Sequence, residues 1–439
     1  ACLKNHSRNL HAPLCGIFHP NSVVVARYDA LIRAKSPTNC GAHLAESLFQ
    51  TRSRVCRQKE MENPMKALIL SCNTGGGHNS AGRAIAEAMT WRGDEAYVLD
   101  YLTLAGEGVS RIVGDGYVQI VKKTPRLFGI AYKLGMGVSR ITRKSPVYYM
   151  NGRMAKYLNQ YIQENPVDVI VMPHLYPAET ITYMKRKGMK LPLTVVVMTD
   201  YTCIPFWEET DADYYITPHE NLIKPCVKRG LKEEKLIPLG IPVSRICRRE
   251  ISKEAAREML GLKKDEKYIL AAGGSMGAGD LKKLVACILK STKEEKLIIV
   301  CGNNAKVESQ LKKAFSSCDR AKILGYTTQM NLYMKACDVL FTKPGGLTST
   351  EGAVAGIPMV HTEPIPGCET ANRKFFGRLG MSVSAKTIKG QVQAGLKLLS
   401  DKEAADEMIR RQQKNINKMA AEDICDFIKG KLTDEKALL

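Results

Sequence analysis

The chain of 439 residues is longer than a typical domain of roughly 100–200 residues, so we expect two large domains. Its 44% hydrophobic and 25% charged residues are ordinary for a globular protein and exclude disorder throughout. The formal net charge of +21, from 65 Lys and Arg against 44 Asp and Glu, favours an anionic partner: nucleic acid, an anionic membrane or a phosphorylated substrate.

The first 64 residues differ from the rest of the chain. They hold four of the eight His and four of the fourteen Cys, and they show no sustained hydrophobic period. We interpret residues 1–64 as a doubtful or disordered N-terminal extension. They carry 9 basic and 4 acidic residues, so the other residues keep a net charge of +16 and the basic character belongs to them.

From residue 65 onward, short apolar runs alternate with amphipathic helical patterns. This alternation predicts an α/β protein with parallel sheets covered by helices on both faces. Two such series meet near Gly240, which predicts one Rossmann-like domain over 65–240, a second over 241–405, and C-terminal helices over 406–439. The predicted strands include 66–72, 96–100, 168–172, 193–199, 213–217, 267–272, 297–301, 338–342 and 357–361, and the predicted helices include 78–91, 280–290, 328–336 and 346–355.

The fourteen cysteines are scattered without any CxxC pair, which disfavours a disulfide framework and a zinc site. No run of about 18 apolar residues predicts a membrane-spanning helix. A protein that is soluble or bound to a membrane surface, in a reducing compartment, fits this composition best, and no metal is expected.

A glycine-rich loop, SCNTGGGH over 71–78, joins the first predicted strand to the first predicted helix. Its glycines allow the backbone to approach a ligand closely, and the helix N-terminus that follows favours negative charge. The spacing is not that of the dinucleotide loop GxGxxG. His78, at the junction of loop and helix, is the candidate catalytic side chain. The alternative is a histidine that only caps or packs at the start of the helix.

Three further motifs combine glycine-rich turns with polar side chains. AAGGSMGAG over 271–279 follows a strand and could hold a diphosphate on its backbone N–H groups, or could form only a tight turn. TKPGGLTSTE over 342–351 ends at Glu351, whose carboxylate could accept both hydroxyls of a ribose. PIPGCETAN over 364–372 places Glu369 and Asn372 on one helix face, where they could bind sugar hydroxyls. Taken alone, each acidic residue is more often solvated surface.

Six motifs, in family order, resemble those of the monogalactosyldiacylglycerol synthase and bacterial diacylglycerol glucosyltransferase family. The members are GT-B glycosyltransferases, related to the N-acetylglucosaminyltransferase that completes the lipid-linked peptidoglycan precursor. The resemblance runs from residue 65 to about 400 and leaves out residues 1–64. The motifs are GGGH at 75–78, TDY at 199–201 with PFW at 205–207, GIPV at 240–243, GGSMG at 273–277, KPGG at 343–346 with Glu351, and PGCETAN at 366–372.

The resemblance implies a GT-B fold, in which two doubly wound Rossmann-like domains face a central cleft. It also implies a UDP-sugar, UDP-glucose or UDP-galactose, as donor substrate in the second domain, without a cofactor. The diphosphate would lie at the 273–277 loop, the ribose at Glu351, and the sugar near Glu369 and Asn372. The full implied donor set is Gly273, Gly274, Ser275, Met276, Gly277, Gly345, Gly346, Leu347, Thr348, Glu351, Glu369 and Asn372.

The resemblance gives His78 the role of general base, because a neutral imidazole suits deprotonation of a lipid hydroxyl as it attacks. Attack opposite to the departing UDP inverts the anomeric centre, and helix dipoles with backbone amides can stabilise the leaving diphosphate without a metal. Two departures from the family pattern leave the hexose open. Cys368 stands where many relatives have Gln, and Ser244 precedes Arg245 where many have Arg at once.

A basic amphipathic segment within residues 101–160 carries ten Lys and Arg against two acidic residues. Apolar and aromatic residues lie between the charges, a pattern typical of binding to an anionic membrane interface. The alternative is a solvated charged face over ordinary core helices. Trp207 could touch acceptor or lipid, or pack in a buried corner, and His174 could line the cleft or cap a helix. The predicted acceptor and membrane residues are Gly76, Gly77, Lys122, Lys123, Arg126 and Trp207.

These patterns together predict an inverting enzyme that moves glucose or galactose from a UDP-sugar to 1,2-diacylglycerol. It would act as a peripheral protein on the cytoplasmic face of the cell membrane. A polyprenyl-linked cell-wall precursor is the alternative acceptor, and a nonhydrolysing UDP-sugar 2-epimerase is a less favoured alternative activity. Nucleic acid is not an expected partner, because no helix-turn-helix, zinc finger or aromatic RNP string is visible.

Overall fold

Two parallel six-stranded sheets form the framework of the chain. The computed structural model describes residues 64–72, 76–106, 108, 142, 144–273 and 280–437, with the side chains of 435–437 excepted. The described residues belong to one compact unit, Pro64–Leu439. The predicted extension over 1–64 lies outside the described residues except for its last position.

The first sheet has the strand order β2-β1-β3-β4-β5-β6, and the second has the order β12-β11-β10-β7-β8-β9. The strands of the first sheet are β1 (Lys66–Ser71), β2 (Glu95–Asp100), β3 (Val169–Met172), β4 (Leu193–Val197), β5 (Tyr214–Ile216) and β6 (Leu236–Ile237). Those of the second are β7 (Tyr268–Ala272), β8 (Lys296–Val300), β9 (Ala321–Leu324), β10 (Val339–Thr342), β11 (Met359–His361) and β12 (Val383–Ser384). The predicted α/β class is confirmed.

Helices connect the strands and cover both faces of each sheet, so the strands read as continuous apolar runs. The helices around the first sheet are α1 (Gly76–Trp91), α2 (Pro146–Gly152), α3 (Ala155–Glu164), α4 (Leu175–Arg186) and α5 (Ile223–Arg229). Those that follow are α6 (Arg245–Arg248), α7 (Lys253–Met259), α8 (Leu281–Ser291), α9 (Ala305–Ala314), α10 (Met330–Ala336), α11 (Gly346–Ala355), α12 (Cys368–Arg378), α13 (Ile388–Ser400), α14 (Lys402–Asn415) and α15 (Ala420–Ala437). Short 3₁₀ turns occupy Tyr101–Ala105, Trp207–Glu209, Glu220–Leu222 and Glu233–Lys235.

Strand β1 shows why the first sheet is buried on both faces. Its side chains alternate between two hydrophobic clusters, with Leu68 and Leu70 in one and Ala67 and Ile69 in the other. The ordering β2-β1-β3 places β1 where the strand order reverses, and ligands of such sheets bind beyond the carboxyl ends of the strands at that point. The loop that carries His78 starts there.

The last helix, α15, returns to the first sheet. Ile424, Cys425 and Ile428 are fully buried in the same cluster as Ile69 of β1. The chain crosses back beside Gly240, whose φ of +103° suits glycine and whose added Cβ would lie 3.2 Å from Ala420. The first sheet is therefore completed by residues from the other end of the chain.

Candidate functional site

His78 lies in the first turn of α1, where its imidazole is held by two neighbouring loops. Its Nδ1 lies 3.0 Å from the carbonyl oxygen of Pro173, after β3, and 2.8 Å from Oγ1 of Thr199, after β4. A carbonyl oxygen only accepts hydrogen bonds, so Nδ1 carries the proton and Nε2 keeps its lone pair. Nε2 has no hydrogen-bond partner in the described part of the chain. The ring is oriented as a proton acceptor.

Burial lowers the pKa of His78 below its ordinary value, while the carboxylate of Asp200 and the Pro173 carbonyl raise it in part. The edge of the His174 ring packs against His78, with ring centroids 4.6 Å apart. Burial lowers the pKa of His174 as well, and its Nδ1 accepts the Tyr176 N–H at 3.1 Å to cap α4. His174 is therefore a helix cap, as in the alternative reading, and both rings are neutral at neutral pH.

Two helix N-termini meet beside His78. Helix α11 begins at Gly346, and a Cβ added to Gly77 at the start of α1 would lie 3.8 Å from Cβ of Leu347. A side chain at Gly345 would meet nothing within 4 Å, so that position is open. Because helix N-termini carry partial positive charge, the junction is suited to an anionic group. The structure thus brings together Gly76, Gly77, His78, Gly345, Gly346, Leu347 and Thr348.

Glu351 lies one turn further along α11. Burial raises the pKa of its carboxyl group to about 7, and among the described residues it has neither a hydrogen-bond nor an ion-pair partner. A partly buried carboxylate without donors is costly unless a ligand supplies them. The geometry fits the predicted acceptor of ribose hydroxyls.

Glu369, in the first turn of α12, accepts the Ile365 N–H at 2.6 Å through Oε2. Burial raises the pKa of its carboxyl group, Lys343 lowers it, and Asp200 raises it. Asp200 also raises the pKa of His78, so its carboxylate acts electrostatically on both the candidate base and the candidate sugar-binding residue.

Asn372 has a task that the sequence did not indicate. Its Oδ1 accepts the Tyr201 N–H at 2.7 Å, and its Nδ2 donates to Asp200 Oδ1 at 2.8 Å and to the Pro344 carbonyl at 3.0 Å. The side chain is fully buried. Asn372 therefore joins the loop after β4 to the loop after β10, and its predicted contact with the sugar stays a proposal.

Several predicted residues are placed elsewhere or lie outside the described part. Trp207 is only 3% exposed and packs in the core of the first sheet, which is the buried corner of the alternative reading, so we do not propose that it contacts a membrane. Gly273 is buried at the end of β7 and donates its N–H to the Val300 carbonyl at 3.0 Å. The residues outside the described part are Lys122, Lys123, Arg126, Gly274, Ser275, Met276 and Gly277.

Sequence reasoning gave no role to Pro173, Thr199, Asp200, Tyr201 and Lys343, although the structure gathers them around the candidate site. One signal was available: each ends a predicted strand or follows one within two residues, and the carboxyl ends of parallel strands share one edge of a sheet. The position of Tyr201 after a strand of the first sheet does not predict that its side chain packs against the second sheet.

Other features of the described residues bear on the site. No group of three or more His, Cys, Asp or Glu side chains in them is placed to hold a metal ion. None of their helices is both long and apolar enough to cross a membrane. A cavity of about 1180 Å³ opens at the C-terminal end of α11, next to Gly356, His219 and Asn417, and none of the predicted site residues lines it.

Comparisons with known proteins identify the domains of the chain. Residues 78–243 match the monogalactosyldiacylglycerol (MGDG) synthase family, and residues 268–424 match the glycosyltransferase family 28 C-terminal domain. The chain is a glycosyltransferase that contains these two domains. Residues 3–62, outside both matches, match a family of unknown function (DUF6783).

One curated relative and two solved structures are similar to this glycosyltransferase. A Bacillus pumilus protein named processive diacylglycerol beta-glucosyltransferase is 26% identical over 390 residues, covering 86% of this chain and all of its own. The crystal structure of Acinetobacter baumannii MurG is 17% identical with a TM-score of 0.56, covering 84% of this chain and all of MurG. The crystal structure of a putative UDP-N-acetylglucosamine 2-epimerase from Listeria monocytogenes is 14% identical with a TM-score of 0.57. The match covers 85% of this chain and 98% of the Listeria chain. The expected GT-B fold is confirmed.

Proposed function

We propose that this glycosyltransferase moves a hexose from a UDP-sugar to 1,2-diacylglycerol, with inversion, as a peripheral enzyme on the cytoplasmic face of the membrane. The observation that carries the proposal is the orientation of His78. Its Nδ1–H is bound to the Pro173 carbonyl, so the lone pair of Nε2 is available for the proton of an acceptor hydroxyl.

The reaction would need one proton transfer and one displacement. As the proton of the lipid hydroxyl passes to His78 Nε2, the hydroxyl oxygen forms a bond to the anomeric carbon. The bond from that carbon to the UDP oxygen breaks, and UDP leaves with the electron pair. The N-terminus of α11 would stabilise the departing charge, together with the N–H groups that the sequence predicts for this role at 274–277. Glu351 would accept the ribose hydroxyls, and Glu369 with Asn372 would lie near the sugar.

The transferred hexose can be decided by a direct assay. The purified protein is incubated with labelled UDP-glucose or UDP-galactose and diacylglycerol in mixed micelles, and the lipid product is identified. The name of the Bacillus pumilus relative favours glucose, and that of the matched family favours galactose. Transfer only to a polyprenyl-linked acceptor, or conversion of a UDP-sugar without any acceptor, would contradict the diacylglycerol proposal.

We propose that α2 and the residues after it form part of the membrane-facing surface. Tyr149 and Met150 are 58% and 64% exposed, and the cations of Lys144, Arg153 and Lys156 are exposed beside them. Exposed apolar side chains among basic ones suit the interface of an anionic bilayer. Ser145 caps α2, and the carboxylate of Glu209 holds it in place. Glu209 accepts the Ser145 N–H at 3.0 Å and the Ser145 hydroxyl at 2.9 Å.

Replacing Arg153 and Lys156 by glutamine is expected to weaken binding to anionic vesicles about 30-fold, since each basic residue near such a surface contributes about 1 kcal/mol. Flotation with vesicles that contain or lack anionic lipid measures the change, and added salt should release the wild-type protein. The matched control replaces Lys386 and Lys389, two exposed lysines near β12, and should leave binding unchanged. Equal binding of the wild-type protein to neutral vesicles would contradict the electrostatic part of the proposal.

The affinity for uridine is expected to rise with pH because of Glu351. Its pKa of about 7 means that the carboxyl group is mostly protonated at pH 6 and mostly ionised at pH 8, and the ionised form is the better acceptor for ribose hydroxyls. At pH 6 binding should be roughly tenfold weaker than at pH 8. Uridine is the probe because it has no phosphate that titrates in this range, and calorimetric titration measures its Kd. Glu351→Gln should remove the dependence, and an unchanged slope in that variant would exclude Glu351 as its source.

A further inference from the structure

We propose that Tyr201 is a positioning residue for the transfer reaction, which seats the loop behind His78 in the sugar-donor half of the molecule. This inference rests on the proposed role of His78 as the base. Tyr201 follows β4 of the first sheet, yet its side chain is 2% exposed and belongs to the hydrophobic cluster of the second sheet.

Two phenylalanines of α12 enclose the ring of Tyr201. Phe375 stacks on it with centroids 4.8 Å apart and an interplanar angle of 25°, and Phe376 meets it edge to face at 5.0 Å. Aromatic pairs with these geometries are favourable beyond the area that they bury. The ring is therefore held on two sides by the helix that also carries Glu369.

The hydroxyl group of Tyr201 forms a hydrogen bond with helix α11. It lies 2.7 Å from Oγ1 of Thr350, whose own hydroxyl donates to the Gly346 carbonyl at 2.7 Å. Because the Thr350 proton is committed to Gly346, the Tyr201 hydroxyl is the donor to Thr350. The bond reaches α11 one residue before Glu351.

The backbone beside Tyr201 is held just as closely. The Tyr201 N–H donates to Asn372 Oδ1 at 2.7 Å, and Asn372 Nδ2 donates to Asp200 at 2.8 Å. At the other end of this segment, residues 199–201, Thr199 Oγ1 lies 2.8 Å from His78 Nδ1. One short segment thus touches the base at one end and the donor half at the other. Movement of Tyr201 out of its pocket would carry Thr199 away from His78.

Tyr201→Phe tests the proposal because it keeps the ring and removes only the bond to Thr350. We expect kcat for hexose transfer to fall between about 3-fold and 10-fold, while the Kd for UDP stays unchanged. Thr350→Val removes this bond together with the bond from Thr350 to the Gly346 carbonyl, so kcat should fall at least as far. The double variant should lose no more than Thr350→Val alone, because the bond between Tyr201 and Thr350 is already absent there. Tyr215→Phe is the matched control: Tyr215 is also buried, its hydroxyl accepts the Ala212 N–H at 2.9 Å within the first sheet, and its loss should leave kcat unchanged.

A second measurement does not depend on activity. Hydrogen–deuterium exchange of peptides covering 198–206 and 343–352 should be faster in Tyr201→Phe than in the wild type, and unchanged in Tyr215→Phe. If the wild type transfers no hexose to diacylglycerol, the proposed function fails, while the exchange data still decide whether Tyr201 holds the two peptides together. A normal kcat in Tyr201→Phe would overturn the positioning role, even if exchange became faster, because the residue would then serve the fold alone.

Discussion

His78→Ala is expected to lower kcat for hexose transfer by about 10²–10⁴-fold, the usual contribution of a positioned general base. The reason is the fixed tautomer: with Nδ1–H bound to the Pro173 carbonyl, Nε2 has its lone pair available for a proton. The Kd for UDP should stay within roughly twofold, since the proposed donor contacts come from other residues. Initial rates with labelled UDP-sugar and calorimetric titration of UDP measure the two quantities.

The pH profile of the wild-type enzyme provides a second check on His78. Burial lowers its pKa, so the ring is neutral and able to accept a proton at pH 6.5 and above. With saturating UDP-sugar, which removes the effect of Glu351 on donor binding, the acidic fall of kcat should lie below pH 6.5. Arg83→Ala is the matched control, because Arg83 is exposed on the same helix and its guanidinium donates to the Ser80 hydroxyl at 3.1 Å. A wild-type rate in His78→Ala would exclude the histidine as the base.

Gly346→Ala is expected to lower kcat/KM by roughly 10–100-fold, because overpacking of this kind costs about 1–3 kcal/mol. The new Cβ would overlap the carbonyl oxygen of Thr199 and lie 3.3 Å from Cα of Asp200. Both neighbours are backbone atoms, which cannot turn aside as a flexible side chain can. The loop behind His78 would have to move away from α11, which separates the base from the proposed donor site.

Gly377→Ala is the control for the change at Gly346. A Cβ at Gly377 would meet nothing within 4 Å, and its backbone is that of an ordinary helix. The substitution should therefore leave kcat/KM unchanged and slightly favour the helix. Steady-state kinetics of both variants with the same lipid acceptor make the comparison. Equal rates for Gly346→Ala and Gly377→Ala would show that the close approach of α11 to Thr199 is not needed for activity.

The sequence was most informative where a feature is local. The buried strands were visible as apolar runs, since helices cover both faces of each sheet, and helix α11 was predicted with the bounds that it has. His78 stood out because it follows a glycine-rich turn between a strand and a helix. Three strands, β6, β9 and β12, were missing from the predicted set; they are only two to four residues long, which is too short to show a period.

The features that sequence could not provide depend on contacts between distant residues or on backbone atoms. The proton position on His78 is set by a carbonyl oxygen, which every residue has and which no side-chain pattern marks. Tyr201 looks like part of the loop after β4, and its burial against Phe375, 174 positions later, follows only from how the halves pack. Asn372 has polar atoms that suit a sugar, but in the fold they are bound to Asp200, Tyr201 and Pro344.

The return of α15 to the first sheet sets an order of events during synthesis. The ribosome makes β1 to β6 first, but the helix that covers them begins only at Ala420, after the whole second sheet has been made. At 5–20 residues per second, the 183 residues from Ile237 to Ala420 take about 10–40 s. During that time the face of Ile69 and Val195 that α15 later buries stays open to water or to a chaperone. The N-terminal sheet is therefore synthesised before the second sheet, and its cover by α15 can form only after the second sheet has been made.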